Sequence, residues 1–220
     1  AAVTLYGSYS EVFPPQSWVT PDFQPLGVAE GENAEVGIKV SLNDGLATGT
    51  LALFQSKLDN LGEFNRVVAG VNTYDGLNYE TNGAELEIIG SINDATNVSF
   101  GITHLDKVEG DDGEKVRTYL PRTTIKLASA IDISAIPGLT LGASVNWQDD
   151  IYIEPAANVR VDQDSYALVN AFARYRLSDD VTLSLNVNNL TDKKYINSLY
   201  WTQGFYGAPR QMQASVNWQF

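Results

Sequence analysis

The chain closes on a strict alternation, Gln211-Met212-Gln213-Ala214-Ser215-Val216-Asn217-Trp218-Gln219-Phe220. Successive side chains of a strand point to opposite faces. Met212, Ala214, Val216, Trp218 and Phe220 therefore share one face, and Gln211, Gln213, Ser215, Asn217 and Gln219 share the other. The first face suits lipid and the second a wet lumen. A half-buried strand of a soluble sandwich has the same pattern, so the remaining segments must discriminate.

Period-2 segments between turn signals give about ten strands, near 2–10, 33–42, 46–57, 79–92, 97–108, 119–133, 139–152, 165–177, 181–190 and 209–220. Their connections alternate in length. Those at 43–45, 93–96, 134–138 and 178–180 are tight, whereas 11–32, 58–78, 109–118, 153–164 and 191–208 read as long loops. Short turns at one end and long loops at the other mark a transmembrane barrel.

Charge parity sharpens this reading, because a Lys or Arg facing lipid at the midplane costs about 2–4 kcal/mol. Leu139, Leu141, Ala143, Val145 and Trp147 oppose Thr140, Gly142, Ser144, Asn146 and Gln148. Val181, Leu183, Leu185 and Val187 oppose Thr182, Ser184, Asn186 and Asn188. The charges Glu35, Lys39, Glu85 and Glu87 keep to the polar parity. The strand at 165–177 is less tidy, with Leu168 and Phe172 sharing a parity with Asn170, Arg174 and Arg176. With the short turns in the periplasm, Trp218 and Phe220 belong to an aromatic girdle at one interface. Trp147, about 26 Å along its strand from Leu139, approaches the other.

Composition excludes several alternatives. A formal net charge of -13 with 14 scattered basic residues argues against nucleic acid as a partner. The absence of cysteine excludes a disulfide framework, a thiolate metal site and a thiol nucleophile. No apolar run is long enough for a membrane-spanning helix. Ala1 to Tyr9 reads as a strand rather than a signal peptide, so the chain is expected to start within a domain. No composition shift marks a boundary, and residues 1–220 are treated as one unit.

The run from Tyr166 to Tyr175, the stretch Asn188-Asn189-Leu190-Thr191-Asp192-Lys193-Lys194-Tyr195, and Tyr206-Gly207-Ala208-Pro209-Arg210 leading to Trp218-Gln219-Phe220 resemble the C-terminal barrel of TonB-dependent outer-membrane receptors. Tyr6 to Gln16, Gly83 to Glu87, Pro121-Arg122 and Pro137 to Gly142 are similar to the siderophore-receptor branch. The resemblance spans essentially the whole chain. It implies an all-β, antiparallel, up-and-down transmembrane barrel of about 22 strands with an N-terminal plug. Such a protein sits in the bacterial outer membrane among its lipids and imports a ferric siderophore as cargo rather than cofactor, using energy from the TonB complex. About ten strands cannot build that barrel. The expectation is a C-terminal barrel portion lacking the plug, the TonB box and the N-terminal strands.

Long loops would capture the ligand. Their aromatics, Trp18 and Phe23 in the first and Tyr200, Trp201, Phe205 and Tyr206 in the last, offer rigid contact area to an iron chelate, with girdle or loop packing as the competing role. Tyr206 to Arg210 shapes entry into the last strand, and Asn188 to Asp192 satisfies loop backbone. Asp106, Glu109, Asp111, Asp112 and Glu114 could offer oxygen ligands to calcium but lack the ordered spacing of a calcium loop, so a solvated acidic loop is expected. The sequons at Asn97 and Asn189 carry no weight in a bacterial barrel.

Two rivals come from other classes. An outer-membrane hydrolase needs a histidine base, and the single histidine, His104, shares a parity with Val98, Phe100 and Ile102 and should face outward. No enzyme is expected. A soluble carbohydrate-binding sandwich, with exposed aromatics stacking on sugars, predicts a monomer that stays soluble without detergent, whereas the outward band of Leu, Val and Trp in a receptor portion predicts detergent dependence.

Overall fold

The alternation organises nearly the whole chain. A computed structural model describes residues 2–110, 113, 115–200 and 202–220. In chain order its strands are β1 (Val3–Val12), β2 (Glu30–Leu42), β3 (Ala47–Val68), β4 (Val71–Asn93), β5 (Thr96–Glu109), β6 (Thr123–Asp132), β7 (Leu139–Gln148), β8 (Ile151–Ala156), β9 (Val159–Gln163), β10 (Tyr166–Arg176), β11 (Val181–Asn188), β12 (Ile196–Tyr200), β13 (Gln203–Tyr206) and β14 (Gln211–Trp218). Ten of them form one antiparallel sheet in the order β1-β2-β3-β4-β5-β6-β7-β10-β11-β14. The pairs β8–β9 and β12–β13 are separate hairpins at the long-loop end.

Register joins the parities of individual strands into continuous rows. One row runs Leu5, Ile38, Leu51, Leu86, Ile102, Ile125, Trp147 and Ala167. The adjacent row runs Thr4, Lys39, Thr50, Glu87, Gly101, Lys126, Asn146 and Leu168. A one-residue slip at any pairing would mix the two faces.

The apolar face is not a buried core. Val36, Leu53, Leu185 and Val216 are exposed, while lumenal Ser144, Asn146, Ser184 and Asn186 are half-buried. A sandwich would cover its apolar face with a second sheet. A barrel wall leaves that face to lipid. The polar face is concave: Ile89, Asn97, Ala130, Ser144, Asn170 and Asn186, from six neighbouring strands, line one recess of ≈ 560 Å³.

The untidy parity of β10 has a local cause. Phe172 pairs directly with Gly142 and lies on the lumenal face where a Cβ at Gly142 would stand. Tyr6 covers Gly37 and Phe54 covers Gly83 in the same way, each opposite in register. A ring laid over a glycine fills the space its missing side chain leaves and pins the pairing.

The turns at 43–45, 93–96, 134–138 and 178–180 stay short, as expected. The segment 58–78, read as a loop, is instead the continuation of β3 and β4 into one long hairpin turning at Ala69–Gly70. The alternation breaks because register shifts between Leu58 and Leu61. There Asn60 takes φ 56, and its side chain occupies the space beside Gly76. Segments 153–164 and 191–208 likewise contain the β8–β9 and β12–β13 strands rather than irregular loop alone.

Candidate functional site

The long-loop end is built from two packed blocks. In the first, residues 13–28 fold onto the β3–β4 hairpin. Gln16 donates from Nε2 to the carbonyls of Gly27 (3.0 Å) and Asn60 (2.9 Å), and its Oε1 accepts from Gly62 N–H at 3.1 Å. Asn60 Nδ2 donates to Leu26 O (3.0 Å) and Val28 O (2.9 Å). Val19 O accepts from Tyr74 N–H at 2.9 Å. These bonds lay Trp18 on Tyr74, with ring centroids 4.4 Å apart and planes at 25°. Phe64 meets Tyr74 edge-on at 6.1 Å.

In the second block, β8, β12 and the segment preceding β6 share an apolar cluster of Ile151, Ile153 and Leu199, flanked by Tyr119 and Ile196. Thr118 and Tyr152 exchange two hydrogen bonds through Thr118 Oγ1 (2.8 Å) and Tyr152 N–H (3.0 Å). Gln163 Oε1 accepts from Ile196 N–H at 2.6 Å, tying β9 to β12. Tyr200 meets Tyr119 edge-on at 6.0 Å, and Arg160 stacks 3.6 Å over Tyr152.

Arg117 bridges the blocks. Its guanidinium lies 3.9 Å from Glu63 and 4.8 Å over the Tyr79 ring. Burial, followed by the hydrogen bond and charge of Glu63, pushes the Tyr79 phenol above its ordinary range, while Arg117 opposes the shift. Tyr79 is therefore a neutral donor at physiological pH.

The aromatics expected from the sequence fall into three settings. Trp18 is stacked on Tyr74, and Tyr200 is one half of the edge-on pair with Tyr119. Phe23 sits in a tight turn with φ 58, while Phe205 and Tyr206 stand exposed on β13, Tyr206 at 81 %. Trp201 lies outside the described residues. The sequence reading missed Phe64, Tyr74, Tyr79, Arg117 and Tyr119. Phe64, Tyr74 and Arg117 lay in stretches taken as loop, and for Phe64 and Tyr74 the only signal was an aromatic residue in each arm of the β3–β4 extension.

His104 faces outward as expected, in the row between Ala84 and Thr123, with Nδ1 2.8 Å from Thr123 Oγ1. Of the acidic loop, Asp111, Asp112 and Glu114 lie outside the described residues. Among the described residues no group of His, Asp or Glu is arranged to hold a metal. At the girdle positions, Trp218 is exposed and meets Phe220 edge-on at 6.2 Å. Trp147 is half-buried on the outward row.

A sheet with an apolar exposed face, a polar concave face, tight turns at one end and packed hairpins at the other is the wall of an outer-membrane barrel. Residues 2–190 match the family model described as TonB dependent receptor-like, beta-barrel. The chain belongs to the TonB-dependent receptor family. It is 34% identical over 229 residues to the ferric-pyoverdine 358 receptor of Pseudomonas putida, spanning 99% of this chain and 27% of that protein. It is 32% identical over 233 residues to the ferripyoverdine receptor of Pseudomonas aeruginosa, spanning 99% and 28%. The crystal structure of the P. aeruginosa outer-membrane receptor bound to ferripyoverdine superposes with a TM-score of 0.91 at 30% identity, covering 99% of this chain and 31% of that one. The chain thus spans under a third of the length of these relatives.

Proposed function

We propose that this chain is the C-terminal wall of a receptor that imports a ferric siderophore across the outer membrane. Energy would come from the TonB complex through a plug and N-terminal strands outside this sequence. The mouth carries the reading: two blocks welded by side-chain hydrogen bonds hold aromatic rings and Arg117 at the wide end of a polar, concave wall. A preformed aromatic rim binds without a large ordering cost. The named ligands of the relatives make a ferric pyoverdine the first cargo to test, with Trp18, Phe23, Tyr200, Trp201, Phe205 and Tyr206 as contacts. Iron delivery is a binding and translocation task and calls on no catalytic residue here.

The test is uptake of radio-iron pyoverdine by cells carrying the full-length receptor in a strain lacking its own. TonB-dependent accumulation, lowered when Tyr200 and Tyr206 are changed to Ala, is the expected result. Binding with no TonB dependence, or no binding of any ferric siderophore, overturns it.

A further inference from the structure

The seam between the two mouth blocks encloses a recess of its own. Register sets its wall. Leu58 stands opposite Tyr79, Ser56 opposite Thr81, and Thr81 opposite Val108, so all present their side chains to the lumenal face toward the long-loop end. A register shift after Asn82 returns Leu105 to that same face, beside Gly83. The segment before β6 then folds back over them. Val116 N–H donates to Val108 O (3.4 Å), Arg122 Nη2 donates to the carbonyls of Val108 (3.3 Å) and Val116 (3.4 Å), and Leu105 N–H donates to Arg122 O at 2.8 Å. Arg117 and Leu120 are thereby held against the wall, and the recess that results measures ≈ 240 Å³.

Most of its donors are unspent. The Arg117 guanidinium is 3.9 Å from Glu63, beyond hydrogen-bond distance. Among the described residues neither it nor the hydroxyls of Ser56 and Thr81 donates a hydrogen bond. The Tyr79 phenol differs, being bonded to Glu63. Below these groups the surface is apolar, with Val108 only 5% exposed and Leu58, Leu105 and Leu120 around it. None of Trp18, Phe23, Tyr200, Phe205 and Tyr206 lines the recess.

Size and chemistry narrow the occupant. A cavity of about 150 Å³ accepts benzene, and whole drug-sized ligands fill roughly 300–1,000 Å³. The recess therefore takes one ring-sized arm of a chelate rather than the chelate. Its apolar floor suits the ring. The open guanidinium suits a carboxylate, which accepts two parallel N–H bonds from such a fork. Glu63 is half-exposed and so only loosely paired, which leaves Arg117 in place but makes Glu63 a competitor of an incoming anion.

We propose that this recess is a subsite for a carboxylate-bearing ring on the cargo, with Arg117 as its clamp and the Ser56 and Thr81 hydroxyls as further donors. The assignment rests on the reading of the chain as the wall of a siderophore receptor. It places recognition of this arm in the β3–β5 wall, apart from the exposed loop aromatics.

The test uses the full-length receptor in detergent, with para-fluorobenzoate and para-fluorobenzamide as probes read by fluorine NMR line broadening. The benzoate should bind about tenfold more tightly than the benzamide, and saturating ferric pyoverdine should displace it. Arg117→Gln should weaken the benzoate about tenfold and erase the preference over the amide. Glu63→Gln should tighten it, a gain that loss of a merely structural contact would not give. Leu120→Trp, at a partly exposed position, should fill the recess and weaken both probes. Heat-modifiable gel mobility verifies folding of each variant. Equal binding of the two probes, no binding of benzoate to wild type because part of the plug occupies the recess, or wild-type benzoate binding by Arg117→Gln overturns the proposal. Ferric pyoverdine that binds without displacing benzoate overturns the assignment to a cargo arm. Failure of every ferric siderophore to bind overturns the receptor reading instead.

Discussion

Trp18 and Tyr74, fifty-six positions apart in sequence, stack at 4.4 Å and fasten the first loop to the β3–β4 hairpin. Trp18 also lies over Gly62, where a Cβ would collide with its indole. The ring that the sequence offers as a ligand contact is thus also the clasp that holds its loop in place. Siderophore affinity should depend on both partners. Trp18→Ala and Tyr74→Ala should each weaken binding of the ferric ligand by the full-length receptor. The double variant should show a coupling of about 1 kcal/mol in a titration cycle. Strict additivity would mean that the stack does not support the site.

Arg117 tests the bridge between blocks. Arg117→Gln removes its interaction with Glu63 and the stack on Tyr79, and should cost about 1 kcal/mol in ligand affinity. Arg117→Lys should recover only part, because an ammonium lacks the planar face that lies on the ring. Isothermal titration with ferric pyoverdine distinguishes the three proteins.

Phe172 and Gly142 make the lumenal packing testable. Phe172→Ala uncovers a glycine pair and should lower stability by about 1–2 kcal/mol in urea-induced unfolding of the reconstituted barrel, less than a fully buried Phe because the ring is partly exposed. Gly142→Val should cost more, since its branched side chain must displace the ring.

The two faces predict opposite responses to one charge. Leu185 faces lipid and its neighbour Ser184 faces the lumen, as their partners Ala214 and Ser215 do. Leu185→Arg should destabilise the folded barrel by about 2–4 kcal/mol, and Ser184→Arg by far less. Equal effects in unfolding measurements would reject the assignment of faces.

Asn189 combines φ 50 with three bonds of its own side-chain atoms, to Lys193 and Ala208. Asn189→Gly keeps the backbone freedom and loses the bonds, whereas Asn189→Ala loses both. Both should destabilise, with Ala the worse by about 1 kcal/mol, because only glycine adopts positive φ without a Cβ penalty. Chemical denaturation of the two variants provides the check.

Much of the wall was legible from residue order. The ten sheet strands, their antiparallel succession, the outward face of Trp218 and His104 and the tight turns follow from a two-residue period that each strand expresses by itself. What the sequence did not reveal lies where that period is interrupted. The bulge at Asn60 hid the continuation of β3 and β4, because its register shift looks like the end of a strand. The pairing of Phe172 with Gly142 made an inward aromatic look like a parity fault. Alternation is a property of neighbouring residues on one backbone, so the sequence by itself determined which face meets lipid. Only the tertiary structure decided where Trp18, Tyr200 and Arg117 stand, because their positions depend on contacts between segments tens of residues apart that no local period encodes.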